Sequence, residues 1–442
     1  MLAHTFQILD IGLPVLRIPM PAVESVTVLV LANTGSRYET QKQQGIAHFL
    51  EHMAFKGSQN YPTAQALAAT VDGVGADFNA FTSKEYMGYY VKAASRHLEL
   101  ALDVISDMLL TPKLRQEDID REKNVIIEEI HMCEDTPPHH VGNLFDRMAF
   151  AGSGLGHDII GSAQTVSALT SADFQGFLKQ WYGLPNLLLV IAGDESVVNS
   201  QSILNQAQQT FSKKDSVTAK RVNKKVDVAA GLKKNPYAQQ FFHLENKATE
   251  QAHFVLGWPG PDRLSEDRYA LSLLNIVLGA NMSSRLFTEI REKRGLAYYV
   301  RSDVDAYHDT GIFGAAVGAD PKRIEEALEV TIQEFTQLGG GTQLGGGTVS
   351  LPVSAGELAR AKEYVAGKMA LSYENPQMIA VYYGLKQLLM NEIETLDEVL
   401  AKLRAVGLDQ VQQVVERLIK PGEMRLALIG PFKDKERFER FF

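Results

Sequence analysis

The chain is poor in cysteine and has no long apolar run. Cys133 is its single cysteine in 442 residues, so an intrachain disulfide is excluded and a reducing compartment is favoured. No run of about 18 apolar residues occurs, which predicts that no helix spans a membrane. The N-terminus lacks a basic start followed by an apolar stretch, so we expect no cleaved secretion signal and a cytoplasmic protein.

Basic residues are also fewer than acidic residues in this chain. The chain has 44 Lys and Arg residues against 53 Asp and Glu residues, a net charge of -9. Nucleic-acid binders use positive charge to neutralise phosphates, so we expect no nucleic-acid partner. The 45% hydrophobic and 22% charged residues are typical of a globular protein, and the length predicts more than one domain.

Apolar periodicity predicts an α+β fold. β-branched apolar runs are typical of buried strands, and apolar residues spaced by three and four are typical of helices. In the first half the pattern predicts strands at Ser25–Leu31 and Leu187–Ala192, two strands within Ala76–Ala94, and helices at Gly45–Phe55, Thr63–Val71, His97–Leu109 and Gln116–Cys133.

Part of this order recurs 226 positions later. Val28 in the first predicted strand corresponds to Phe254, and Ala101 in a helix corresponds to Ala327. Two landmarks at one offset indicate an internal duplication. We therefore predict related domains at residues 1–212 and 237–442, joined by a lysine-rich linker at 213–236.

Glycine repeats between Gly339 and Thr348 are the one low-complexity feature. A phosphate-binding loop would need a lysine and a following helix in fixed register, and neither is present. We interpret the stretch as a flexible surface loop without chemistry.

The most informative residues are His48, Glu51 and His52. On the predicted helix the two histidines lie four residues apart and share one face, so both can bind one metal ion. Glu51 is placed to accept a proton from water activated by that ion. Zinc suits this set of ligands best. The alternative is an amphipathic helix with two solvated histidines.

The helix Gln116–Cys133 offers three glutamates as a further ligand: Glu122, Glu128 and Glu129. A polar stripe predicts its solvent face and consists of Glu117, Arg121, Asn124 and Glu128. Glu122 and Glu129 are seven residues apart on a line flanked by apolar side chains, where an unpaired carboxylate is costly. We therefore favour Glu129 as the third ligand and keep Glu128 as the alternative.

Three segments together resemble the pitrilysin/insulinase-type inverzincin metallopeptidases. They are HFLEHMAFKG, FNAFTSKE (Phe78 to Glu85) and REKNVIIEEI (Arg121 to Ile130). Among these peptidases the chain most resembles the single-chain bacterial relatives of mitochondrial processing peptidase. The resemblance extends to LGHDIIGSAQTV (Leu155 to Val166) and WYGLPNLLLVIAGD (Trp181 to Asp194).

This resemblance implies two related α/β-sandwich (αβ-roll) domains that form a clamshell chamber in a dimer. It also implies one Zn²⁺ per chain and peptide substrates. By this resemblance His48, His52 and Glu129 would bind zinc, and Glu51 would act as the general base. Glu122 would orient a ligand or support the base. Asn79, Ala80 and Phe81 would pair with an extended substrate. From the residues alone, Phe78 to Phe81 can equally be an ordinary strand end.

The second half carries SSRLFTEIREKRGLAYYV (Ser283 to Val300), which resembles a second motif of the family. There an arginine and a tyrosine seven residues apart complete the active site, which implies that role for Arg291 and Tyr298. The alternatives are a surface arginine with a core tyrosine, or Arg294 in place of Arg291. The counterparts of His48, Glu51 and His52 at the 226-residue offset are Leu274, Val277 and Leu278, so only the first half can hold the metal.

The sequence therefore predicts a zinc metalloendopeptidase that cuts unfolded or short peptides inside an enclosed chamber. The alternative is a non-catalytic partner or core subunit of a processing-peptidase-like complex. We expect a homodimer, with a heterodimer as the alternative.

Overall fold

The fold was determined from a computed structural model, which describes residues 2–212, 240–338, 351–420 and 422–442. The predicted linker at 213–236 and the glycine repeats between Gly339 and Thr348 lie outside the described residues. No helix among the described residues is both long and apolar enough to cross a membrane.

Runs of strands are followed by runs of helices along the chain. The strands are β1 Thr5–Ile8, β2 Pro14–Met20, β3 Ser25–Ala32, β4 Asp77–Thr82, β5 Met87–Ala94, β6 Leu187–Asp194, β7 Phe242–Asn246, β8 Ala252–Gly260, β9 Ala297–Ala306, β10 Gly311–Ala319 and β11 Arg425–Gly430. The helices of the first half are α1 Ile46–Ala54, α2 Ala64–Asp72, α3 Leu98–Leu110, α4 Gln116–Glu134, α5 Pro137–Ala149, α6 Ala163–Ala168, α7 Ser171–Trp181, α8 Glu195–Val198 and α9 Gln201–Phe211. Those of the second half are α10 Arg268–Leu278, α11 Ile324–Leu338, α12 Ala355–Ser372, α13 Pro376–Met390, α14 Leu396–Ala405, α15 Leu408–Leu418 and α16 Glu436–Glu439. Each element predicted for the first half is present, with ends shifted by at most two residues.

The described residues form two compact units, each built on one sheet. The first unit comprises residues 2–131, 157–212 and 370–396. The second comprises residues 132–156, 240–338, 351–369, 397–420 and 422–442.

In the first unit six strands lie in the order β1-β2-β6-β3-β5-β4. Strand β3 is buried on both faces, as a continuous apolar run predicts. Val28 points into the core that contains α1 and α3. Leu31 faces helix α13, where a Cβ added to Gly384 would lie 2.8 Å from Leu31 Cδ1. The sheet therefore lies between two helical layers.

The second unit repeats the order of five of these six strands, and β1 has no counterpart in its sheet among the described residues. Its strands lie in the order β7-β11-β8-β10-β9, and β7 and β11 are parallel like β2 and β6. Val28 pairs with Val91 in the first sheet, and Phe254 pairs with Val317 in the second. Both members of the second pair lie 226 positions after those of the first. The predicted duplication is thus confirmed at the level of strand register.

The compact units differ from the predicted contiguous domains at two segments. Helix α5, from the first half, belongs to the second unit, and helix α13, from the second half, belongs to the first. The apolar side of α5 explains its place, because Val141, Phe145 and neighbouring side chains pack against Ile312 and Ile429 of the second sheet. The boundaries of the compact units therefore differ from the predicted boundaries at 212 and 237.

The residues after Pro137 form a helix that places one of its two histidines in the interior. His139 and His140 both lie in α5. His140 is buried, and its Nε2 atom lies 3.0 Å from Oε2 of Glu245. Proline is compatible with the first turn of a helix, so the two prolines start α5 rather than prevent it.

Candidate metal centre

Helix α1 carries the two histidines and Glu51. Its apolar side, which includes Phe49 and Leu50, is buried in the core of the first unit. This packing turns the opposite side toward α4 and strand β4. The imidazole rings of His48 and His52 lie one turn apart, with ring centroids separated by 4.7 Å.

Helix α4 brings Glu129 to both histidines. Oε1 of Glu129 lies 3.7 Å from Nε2 of His48, and Oε2 lies 3.5 Å from Nε2 of His52. The polar stripe predicted for α4 is exposed, and Glu128 on it has a side chain 81% exposed. The structure therefore places Glu129, and not Glu128, beside the histidines.

These separations fit a metal ion better than hydrogen bonds. A hydrogen bond between such atoms would bring them to about 2.7–3.2 Å. Ligand distances of about 2.0–2.2 Å around a tetrahedral zinc ion place the donor atoms about 3.3–3.6 Å apart. The 3.5 Å distance lies within that range, and the 3.7 Å distance lies just above it. Among the described residues, His48, His52 and Glu129 form the one group of three His, Cys, Asp or Glu side chains close enough together to hold a metal ion.

The ring of His52 is held by Glu122. Oε1 of Glu122 lies 3.0 Å from Nδ1 of His52, which leaves Nε2 directed at Glu129. Oε2 of Glu122 pairs with Nζ of Lys56 at 2.5 Å. Burial alone would raise the pKa of Glu122, but the bonds from His52 and Lys56 outweigh it and hold the pKa below its ordinary value. An ionised Glu122 accepts the Nδ1 proton and fixes the tautomer that binds metal.

His48 is the more deeply placed ligand. Burial, with a smaller contribution from the charge of His52, lowers the pKa of His48 to about 4. Its imidazole is therefore neutral near pH 7, which is the form that binds a metal ion. Among the described residues its buried Nδ1 atom has no hydrogen-bond partner.

Glu51 is oriented by a residue that the sequence reasoning missed. The hydroxyl of Thr82, at the end of strand β4, donates to Oε2 of Glu51 at 2.6 Å. Burial raises the pKa of Glu51, while the Thr82 bond and the charge of His52 oppose the rise. A raised pKa suits a carboxylate that must accept a proton.

Strand β4 is the edge strand of the first sheet among the described residues. Ser83 N–H donates to Tyr86 O at the turn that follows, and hydrogen-bonded pairs alternate along an antiparallel ladder. The backbone groups of Phe78, Ala80 and Thr82 therefore point away from β5. Ala80 N–H donates instead to Oδ1 of Asn79 at 2.8 Å. Asn79, Ala80 and Phe81 thus lie on an open edge, and their role toward a substrate stays a prediction.

In the second unit Arg291 and Tyr298 lie together. Arg291 lies in the last turn of a π-helical segment, Phe287–Glu292. Its guanidinium lies 5.0 Å from the ring of Phe287 and 5.8 Å from that of Tyr298. The Tyr298 side chain is 73% exposed, so the alternative of a core tyrosine is wrong. Arg294 pairs with Glu289, which leaves Arg291 as the arginine beside the tyrosine.

The counterparts of the metal ligands in the second unit are apolar core residues. Leu274, Val277 and Leu278 lie on helix α10 and are buried. Helix α10 therefore offers no ligand at the positions that correspond to His48, Glu51 and His52.

Comparisons with known proteins agree with this division. Residues 15–163 match the family model "Insulinase (Peptidase family M16)", and residues 168–363 match "Peptidase M16 inactive domain". An uncharacterized zinc protease of Streptomyces coelicolor is 34% identical over 96% of this chain and 89% of its own length. The uncharacterized zinc protease YmxG of Bacillus subtilis is 34% identical over 93% of this chain and 94% of its own.

Solved structures show the same fold. A protease from Helicobacter pylori superposes with a TM-score of 0.83 at 22% identity, over 98% of this chain and 100% of that one. A peptidase M16 inactive domain from Pseudomonas fluorescens gives a TM-score of 0.84 at 20% identity, over 98% of each chain.

Proposed function

Because the chain belongs to the insulinase family of peptidases, peptidase family M16, we propose that it is a zinc-dependent endopeptidase that cuts unfolded or short peptides. The observation that supports this most is that one ligand atom from each of His48, His52 and Glu129 lies within 4.8 Å of the other two, close enough to share a metal ion. Glu51 lies on the same helix as the two histidines, where a base is needed. The presence of one such group among the described residues supports a stoichiometry of one zinc ion per chain.

The reaction assigns distinct tasks to the side chains of the first unit. His48, His52 and Glu129 would hold a zinc ion, which would act as a Lewis acid when bound. Glu51 accepts a proton from the attacking water and later delivers it to the leaving amine. Because Thr82 holds Oε2 of Glu51, Oε1 is the atom that carries this proton.

Strand β4 provides the surface for an extended substrate. A peptide that pairs with the outward backbone groups of Phe78 and Ala80 would continue the sheet as an additional strand. Folded proteins keep their strands paired internally, so the substrates are unfolded or short peptides. Enclosure between domains of a dimer would add to this selection.

Arg291 and Tyr298 complete the site of a partner copy in this proposal. A phenol can donate a hydrogen bond to the oxyanion that forms during hydrolysis, and an arginine can bind a substrate carbonyl. The exposure of Tyr298 supports a role at an interface with substrate or partner. Mixing Glu51→Gln with Tyr298→Phe protein tests this homodimer, because one intact site forms in each mixed dimer. Activity should return on mixing, and flat activity after verified subunit exchange would refute action in trans.

The peptidase proposal itself is tested with an unfolded protein, its native folded form and a metal chelator. The purified chain should cut the unfolded form and leave the folded form intact. Cutting should stop when zinc is removed and resume when zinc is restored. Zinc binding without any cleavage would instead support a non-catalytic partner subunit.

A further inference from the structure

The N-terminus of helix α1 is capped by a side chain from outside the helix. The residue that precedes it, Gly45, has φ 92° and provides no side-chain cap. Glu39 replaces that cap, because Oε2 accepts the N–H of Gly45 and Oε1 accepts the N–H of Ala47, both at 2.8 Å. The carboxylate therefore satisfies two amide groups at the positive end of the helix that carries His48, Glu51 and His52.

The position of Glu39 is costly for a carboxylate. The residue is only 6% exposed, and burial raises its pKa to about 8. The N–H groups of Ala47 and Gly45 and the charge of Lys84 oppose that rise. Each oxygen of Glu39 accepts one backbone N–H, so both amide groups have an acceptor. A helix is ordinarily capped by a serine or asparagine at the position that Gly45 occupies. Here the Glu39 side chain, six residues earlier in the chain, accepts the hydrogen bonds instead.

The backbone of Gly45 leaves no space for such a residue. A Cβ added there would lie 2.6 Å from the carbonyl oxygen of Ile160, and one added to Gly161 would lie 2.5 Å from that of Gln44. The two glycines thus allow the segment before α1 to pack directly against residues 160–161. The first turn of α1 is therefore held by the Glu39 carboxylate and by packing against residues 160–161.

The same segment is attached to the β4–β5 turn. Ser36 N–H donates to Ser83 O at 3.2 Å, and Arg37 N–H donates to Lys84 O at 2.9 Å. A Cβ on Gly35 would lie 2.3 Å from Ser83 O, so this approach requires glycine. The turn directly follows Thr82, which bonds Glu51.

A buried ion pair strengthens this attachment. Nη1 of Arg37 lies 2.5 Å from Oε1 of Glu85, and each side chain is only 1% exposed. Residues 35–39 therefore connect the first turn of α1, through Glu39, to the turn after β4, through Arg37 and Glu85. The helix with the general base and the strand with its hydrogen-bond partner are held by one short stretch of chain.

We propose that Glu39 and the Arg37–Glu85 pair are positioning residues that fix Glu51 and the two histidines of α1 relative to strand β4. The inference rests on the peptidase function proposed above. In Glu39→Gln one amide N–H of α1 faces the NH₂ group and loses its acceptor, so the helix start shifts. Glu51 is then misplaced relative to a peptide bound along strand β4. The two histidines are also misplaced relative to Glu129, so the three side chains are less well arranged to hold a metal ion.

The test compares Glu39→Gln with Glu117→Gln, an exposed glutamate on α4, in zinc-saturated protein that is folded at the assay temperature. For Glu39→Gln we expect kcat to fall about 10- to 100-fold with little change in KM, because misplacement of reacting groups affects the chemical step. We also expect the Kd for zinc, measured against a chelator, to rise about tenfold. The Glu117→Gln protein should match the wild type in both.

A second variant covers the case in which Glu39→Gln does not fold. Arg37→Lys keeps the positive charge beside Glu85 but loses the planar guanidinium, and it should show smaller changes in the same directions. A lower melting temperature with kcat and zinc Kd within about twofold of the control would overturn the proposal, because the residues would then contribute only to stability. If the wild type cuts no peptide, the peptidase proposal fails, and the zinc Kd comparison still decides whether Glu39 positions α1.

Discussion

Nδ1 of His52 lies 3.0 Å from Oε1 of Glu122, and the other oxygen of that carboxylate pairs with Lys56. The carboxylate thereby determines which nitrogen of His52 faces the metal centre. Glu122 is buried, whereas both groups that it binds are more exposed. The buried Glu122 carboxylate therefore holds the His52 ring in its orientation.

Replacing Glu122 with Gln should weaken zinc binding without removing a ligand. We expect the zinc Kd to rise about 10- to 100-fold, the usual effect of changing a group that orients a metal ligand. Chelator competition on purified protein measures the change, and Glu117→Gln on the same helix is the matched control. Equal Kd values for the two variants would show that Glu122 does not orient His52.

Glu128 and Glu129 are neighbours with different surroundings, so the same substitution should have different effects. The Glu129 side chain is 32% exposed and lies beside both histidines, while that of Glu128 is 81% exposed. Glu129→Gln should lose most of its zinc after dialysis, and Glu128→Gln should retain one zinc per chain. The opposite result in elemental analysis would mean that the wrong glutamate has been assigned as ligand.

Thr82 offers a test of how Glu51 is oriented. Thr82→Val removes the hydroxyl at nearly constant volume, and Thr82→Ser keeps it. We expect the valine variant to lose about tenfold in kcat, because its general base is less well placed, and to bind zinc like the wild type. The serine variant should retain most of the activity. If the two variants have the same kcat, the hydrogen bond to Glu51 does not contribute.

Local patterns were sufficient to predict the helix with His48 and His52 and the position of Glu129 beside them. Both depend on helical spacing, which sequence shows directly. The 226-residue offset was visible for the same reason and proved to match the register of two paired strands. Lys56 and Thr82 were missed because each contacts its partner only through the packed fold, across 66 and 31 positions.

Local sequence patterns also could not predict which sheet α5 packs against. Its apolar spacing indicates a buried side but not which sheet buries it, and the chosen sheet belongs to the other half of the chain. His140 shows the same limit, because its partner Glu245 lies 105 positions away. Sequence spacing therefore predicts elements and faces, whereas long-range partners require the structure.

The central claim is that Glu51 acts as the base of a zinc peptidase, and Glu51→Gln tests it most directly. Gln keeps the size of the side chain and leaves His48, His52 and Glu129 unchanged, so zinc should remain at one per chain. Hydrolysis of an unfolded protein should fall about 100- to 10,000-fold, the usual contribution of a general base. The measurement is zinc content and cleavage rate on the same preparation, beside wild-type protein. Full zinc content with near-wild-type cleavage would contradict the account.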